Sequence, residues 1–173
     1  MLIEIKVRGT SRIIIAGEYE SVKDCLEKNR RDVYFENADL IGSNLEGANL
    51  GGSNLIGANL GSSNLRYSNL GGANLVGSNL QGSNLQGANL GNANLVGIKG
   101  YANSHDIFSE IVSRQEAELF SDSEWVAIAQ IIIYKLCWGS IRKRFSNVIP
   151  IIFKKLADAG FGEWLEHWEL ADE

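Results

Sequence analysis

Histidine, cysteine, threonine and proline are all scarce in this 173-residue chain, and each scarcity excludes a class of function. The two histidines, His105 and His167, have no partner at metal-ligand spacing, so no catalytic, cofactor or metal site is legible. His105 reads as a helix-start or surface residue and His167 as surface packing. The two cysteines, Cys25 and Cys137, also lack ligand spacing and read as free buried thiols of a cytoplasmic protein. Threonine occurs only as Thr10, which removes the flat Thr-rich face that ice binding needs. The one proline, Pro150, fits the first turn of a helix. No apolar run is long enough to span a bilayer, because the most apolar stretch, residues 125–137, is short and contains Gln130 and Lys135. Glu4, Lys6 and Arg8 interrupt the opening apolar residues, so there is no N-terminal signal pattern. Charge is thin where it would matter most: residues 37–97 carry only Asp39, Glu46 and Arg66.

What fills residues 37–97 is a five-residue beat. Leucine recurs at every fifth position from Leu40 to Leu95; Ala or Ser stands two before it, Asn (once Asp39) one before it, and usually Gly two after it. Gly and Asn are poor helix formers, and one large apolar residue in five cannot fill a packed globule. A coil of short extended sides fits. Residues two apart share a face, so Leu and the preceding Ala or Ser point inward, Asn points outward, and Gly turns the corner. No single unit can bury its Leu, so successive turns must stack.

The residue after each Leu indicates how many sides make one coil. Taken at every fourth unit these residues sort into Gly51, Gly71 and Gly91; Ile56, Val76 and Val96; and Glu46, Arg66 and Gln86. Four sides of five residues give twenty residues per coil, with Leu55, Leu75 and Leu95 in one column and Phe35 starting it a coil earlier. The inward serines need partners, most simply neighbouring backbone groups.

The flanks differ in kind. Residues 1–32 read as an N-terminal cap: a strand with Ile3, Ile5 and Val7 inward, a turn at residues 9–11, a return strand at 12–16, and a helix opened by Ser21 and Asp24 with Cys25 and Leu26 inward. Residues 33–100 are the solenoid. Residues 101–173 read as a helical domain. Ser104 caps a helix carrying Ile107, Phe108, Ile111 and Val112; Ser121 and Glu124 box the start of a helix apolar almost all round; Trp164, Leu165 and Trp168 share a terminal face. The basic residues Arg142, Lys143, Arg144, Lys154 and Lys155 read as a solvated face. Residues 98–173 hold 8 basic and 12 acidic residues, a balance that opposes phosphate binding and argues against a nucleic-acid partner.

The repeat resembles the pentapeptide-repeat family, whose pattern is Ala-(Asp/Asn)-Leu-x-x, and the helical tail is similar to that of phage or bacterial members. The resemblance implies a mainly β fold: a right-handed four-sided parallel β-solenoid, here with an N-terminal α/β cap and a C-terminal α-helical domain. Some relatives protect DNA gyrase and topoisomerase IV, with an acidic solenoid imitating duplex DNA. That role needs rows of negative charge, and the outward rows here are Asn. The expected function is therefore a non-enzymatic scaffold or protein-interaction module, with a topoisomerase-binding DNA mimic as the alternative.

The candidate interaction surface is the outward column Ile56, Val76 and Val96, an apolar strip that something should cover: the C-terminal helices, a second subunit in a homodimer, or another protein. Trp125, Trp138 and Trp164 are the matching candidates in the tail.

Overall fold

The computed structural model describes residues 1–101, 104–134 and 138–165, and of Trp138 the backbone alone. The chain forms two compact units, Met1–Tyr101 and Ala102–Glu173.

The first unit opens on an antiparallel hairpin, β1 (Leu2–Lys6) with β2 (Ile13–Glu18), whose alternation buries Ile3 and Ile5. The return strand runs two residues further than the sequence pattern indicates. Helix α1 (Val22–Asn29) follows, with Cys25 and Leu26 fully buried. Burial pushes the Cys25 thiol above its ordinary pKa. The Ser21 hydroxyl accepts from the Asp24 N–H at 3.1 Å, and the Asp24 carboxylate accepts from the Glu20 N–H rather than from Ser21 as a full capping box would have it.

From Phe35 the chain coils. Parallel bridges join Asp39 to Asn59, Asn44 to Asn64, Asn49 to Asn69 and Asn54 to Asn74, and repeat from there at the same interval, so one coil is twenty residues in four sides. Each side contributes two rungs: the Leu40 N–H donates to Asn59 O at 2.9 Å and the Asn59 N–H to Ala38 O at 2.8 Å. A sheet-like side this short supports one bridge before it turns, so the named strands among the described residues are those of the hairpin, and the β character of the solenoid lies in its ladder. Every Leu from Leu40 to Leu95 is buried, and fully buried Phe35 heads its column.

Each corner places the second residue after Leu in the left-handed region, whatever its identity. Tyr67 is the bulky exception, at φ 56° where most coils use Gly. Its ring lies across Gly87 one coil on, where a Cβ would stand 2.7 Å from the ring, and the Arg66 guanidinium sits 5.1 Å above the ring centre.

The hairpin meets the first coil edge to edge. The Asp39 N–H donates to Lys6 O at 2.8 Å and the Arg8 N–H to Asn37 O at 2.7 Å, while the Glu27 carboxylate accepts from the Asn49 N–H at 2.6 Å. These are donors and acceptors that an open sheet edge would leave exposed.

The inward serines divide. Ser53, Ser68 and Ser83 donate to the carbonyl three residues back, at 2.7–2.8 Å. The buried hydroxyls of Ser63 and Ser78 bond nothing among the described residues. Ser63→Ala and Ser78→Ala are therefore expected to stabilise by up to about 1 kcal/mol, and Ser53→Ala and Ser68→Ala to cost about 1 kcal/mol. Urea unfolding of the four variants checks the opposite signs.

In the second unit, α2 (His105–Ser113) is capped by the Ser104 hydroxyl on the Ile107 N–H and buries Ile107, Phe108, Ile111 and Val112, as their spacing predicts. A 3-10 turn (Ala117–Leu119) leads to α3 (Asp122–Tyr134); α4 (Trp138–Arg144) and α5 (Ile149–Asp158), with Pro150 in its first turn, follow, and residues 163–165 are again helical. Half of the capping box at α3 forms, with the Glu124 carboxylate accepting from the Ser121 N–H at 2.6 Å, while the Ser121 hydroxyl donates to the same carboxylate at 2.9 Å. Lys155 of α5 adds an ion pair to the same carboxylate at 2.8 Å. Burial pushes the Glu124 carboxyl up, but these bonds outweigh it and hold the group below the usual range. Cys137, His167 and Trp168 lie outside the described residues.

Candidate interaction surface

The outward surface of the solenoid is built on amides. Each Asn turns its Oδ1 to the N–H two residues on, as in Asn69 to Gly71 at 3.0 Å and Asn89 to Gly91 at 3.0 Å. On three sides its Nδ2 donates to the Asn one coil before: Asn69 to Asn49 at 3.3 Å, Asn89 to Asn69 at 3.2 Å, Asn79 to Asn59 at 3.0 Å, Asn64 to Asn44 at 3.3 Å. An aspartate makes the first bond and not the second, and a row of them would stack like charges about 4.8 Å apart. The ladder thus gives a physical reason for Asn in nearly every unit. The double variant Asn69→Asp/Asn89→Asp is expected to cost more than the sum of its singles, each about 1 kcal/mol. Mutual repulsion raises both folded-state pKa values, so the excess is present at neutral pH and disappears as pH falls through them. Urea unfolding at neutral and acidic pH reads this.

Ile56, Val76 and Val96 lie in one column, tied by the Gly57 N–H to Val76 O at 2.8 Å and the Gly77 N–H to Val96 O at 2.9 Å. Ile56 and Val76 are half-buried and Val96 is 64% exposed. Glu36 precedes Ile56 in the column and accepts from Asn54 Nδ2 at 3.0 Å, so the apolar strip has a charged end. This is the side with no Asn-to-Asn rung: Asn54 donates to Glu36, and Asn74 and Asn94 accept from the N–H groups of Val76 and Val96.

The tryptophans are placed differently from the strip. Trp164 is 1% exposed and packs edge-on against Phe108 at 5.3 Å and stacked on Phe153 at 6.2 Å. That corrects its assignment to a surface: two aromatic rings from separate elements, Phe108 of α2 and Phe153 of α5, converge on it, which no local pattern reveals. Half-buried Trp125 donates from Nε1 to Ala117 O at 2.9 Å and meets Phe120 edge-on at 5.1 Å, so its polar handle is occupied internally. Trp138 opens α4, and its side chain lies outside the described structure. The basic residues do not make one patch. Arg142, Lys143 and Arg144 end α4, whereas Lys155 is held by Glu124.

What the sequence reading missed is the outer face of α3. Ala127, Ile128 and Ile131 are buried, while Val126 is 57% and Ile133 71% exposed on the opposite side. The all-round apolar pattern was the available signal, but spacing alone could not say which face would be left uncovered.

Among the described residues no group of His, Cys, Asp or Glu is arranged to hold a metal, and no helix is long and apolar enough to cross a membrane.

A match to a family model agrees with the coil. The family model for pentapeptide repeats matches in 8 copies over residues 31–66 and 58–97. Among solved structures, a pentapeptide repeat protein from the Arabidopsis thaliana thylakoid lumen matches at 26% identity over 38% of this chain and 43% of that one, with a TM-score of 0.35. HetL, a pentapeptide repeat protein involved in heterocyst differentiation regulation in the cyanobacterium Nostoc, matches at 33% identity over 39% and 37%, with a TM-score of 0.27. A pentapeptide repeat protein from the cyanobacterium Cyanothece matches at 35% identity over 37% and 54%, with a TM-score of 0.25. This chain therefore spans about half, or less, of the solved structures it resembles. No curated protein sequence matches it.

Proposed function

We propose, from the premise that residues 31–97 are pentapeptide repeats of a β-solenoid, that the chain is a non-enzymatic scaffold or binding module acting through the Ile56–Val76–Val96 column. In this reading the coil is right-handed as in the family, the hairpin and α1 cap its first edge, and the helical unit serves as a cap, dimer interface or specificity element. The site of action is the cytoplasm. The observation that carries the reading is the strip itself: an apolar column, 64% exposed at Val96, on a solenoid whose other exposed large apolar residues between Leu40 and Leu95, Ile41 and Tyr67, stand singly in other columns. A rigid repeat surface with a contiguous apolar column suits protein recognition, where affinity concentrates in a few desolvated contacts.

Mimicry of duplex DNA toward a topoisomerase requires rows of carboxylates. The ladders here are neutral and use their Nδ2 donors to hold the coils together, which argues against that alternative.

Affinity capture with the full chain and with Val76→Glu tests the proposal. A protein retained by the parent and lost with the variant is the expected result. A topoisomerase captured equally by both, together with rescue of gyrase supercoiling from a quinolone, would establish DNA mimicry instead.

A further inference from the structure

We propose that the strip takes an extended segment of another protein, a basic residue flanked by apolar ones, whose cation faces Glu36 and Asp32 and whose far end enters a groove beside the hairpin. The inference rests on reading Ile56, Val76 and Val96 as a binding surface, and it names the chemistry of what binds there.

The surface does not stop at Ile56. The Phe35 N–H donates to Asn54 O at 2.9 Å and the Asn37 N–H to Ile56 O at 2.7 Å, so residues 34–36 stand one coil before residues 54–56. Tyr34 therefore heads the row of Asn54, Asn74 and Asn94, and it is 73% exposed. It lines a groove of about 470 Å³, a size that suits a ligand cleft. Val33 joins Tyr34 on the coil side of this groove, and Ile13 and Ile14 at the start of β2 line the hairpin side.

Length selects a chain over a small molecule. Val96 and Glu36 stand three coils apart in one column, about 14 Å along the solenoid, and the groove extends the surface further. A small metabolite fills the groove and leaves the strip bare, whereas an extended segment covers both.

Charge selects the segment. Glu36 lies where strip and groove meet. One of its oxygens accepts from Asn54 Nδ2 at 3.0 Å, and the other bonds nothing among the described residues. Asp32 lines the same groove, and its carboxylate has no partner among the described residues. Arg12, on the hairpin side, is the one cation among the lining residues. An acidic group or a phosphate at this junction meets two carboxylates, while a Lys or Arg side chain is attracted by both. Apolar residues on either side of that cation then meet Ile56 and Val76 in one direction and Ile13 and Val33 in the other.

Blocked peptides of about nine residues, which span about 30 Å when extended, test this on the full chain. They carry Leu, Ile, Val or Phe at the outer positions and Lys, Gln or Glu at the centre. Lys-centred members should bind tighter than Gln-centred ones by about two- to five-fold for each carboxylate, and Glu-centred members weakest. Glu36→Gln and Asp32→Asn keep the side-chain shapes, and the first keeps an oxygen for Asn54, so both are expected to melt as the parent does. Together they should erase the Lys preference and leave Gln-centred members bound as before. Arg12→Gln should strengthen the preference. Ile13→Ser should weaken all members alike, by about five-fold, and Val76→Glu should abolish their binding. Equal binding of Lys- and Glu-centred members, or a Lys preference that survives the double substitution, overturns the proposal. So does binding that ignores Ile13→Ser or Val76→Glu. Failure of every member to bind also overturns it, while capture of whole proteins by the parent and by Val76→Glu still judges the strip itself.

Discussion

Leu60→Ala is expected to destabilise the protein by about 2–5 kcal/mol. Leu60 is fully buried and stands one coil from Leu40 and one from Leu80, both also buried. In a stacked coil a side chain has neighbours only on its own turn and the two adjacent turns, so nothing from elsewhere in the chain can move in to fill the space. The cavity term therefore adds in full to the lost transfer energy. The backbone rungs at this site, from the Leu60 N–H to Asn79 O and from the Asn59 N–H to Ala38 O, fix the turn and limit collapse further. Leu85→Ala, in the last coil and 4% exposed, should cost less. Urea unfolding of the two variants measures the difference, and equal losses would contradict a coil in which interior position sets the cost.

Gly100→Ala is the second large effect, with an expected loss of about 2–5 kcal/mol, made of about 1–2 for a left-handed alanine and 1–3 for overpacking. Gly100 lies at φ 75°, and a Cβ there would stand 2.3 Å from the backbone nitrogen of Gln81 and 2.4 Å from its Cα. Backbone cannot swing aside as a side chain can. Gly52 separates the two contributions: its φ is 71°, but a Cβ would meet nothing within 4 Å. Gly52→Ala should therefore cost only the conformational part, and the difference between the two melts reads the steric part alone. The position has structural meaning. Ile98 and Lys99 still occupy the inward and outward places of a repeat, with the Lys99 N–H bonded to Ser78 O at 2.9 Å, and Gly100 stands where the next Leu would fall. The coil ends at a residue without a side chain, pressed against the turn before it.

The regular part of this fold was legible because its information is local and repeated. A Leu every fifth residue, an Ala or Ser two before it and a sorting of the residues after Leu at every fourth unit were enough to derive the twenty-residue coil that the bridges from Asp39–Asn59 onward display. The Ser104 cap and the Glu124 half of the Ser121–Glu124 box were legible for the same reason: each joins residues three apart on one chain segment.

Other features depend on what a residue meets across the fold. Ser63 and Ser68 occupy the same inward position, yet one hydroxyl has a carbonyl in reach and the other does not. The burial of Trp164 depends on Phe108 and Phe153, which lie far from it in sequence. Lys155 reads as part of a basic run until Glu124, thirty-one residues earlier, is found beside it. The exposed face of α3 belongs to the same class: the sequence shows a helix apolar on all sides, and packing alone decides that Ile128 is buried and Ile133 is not. The sequence by itself determined the coil, because every unit repeats the same inward and outward choice. Only the tertiary structure decided which hydroxyls find a partner, where the coil stops and which apolar faces remain open, because those outcomes depend on distances between residues far apart in the chain.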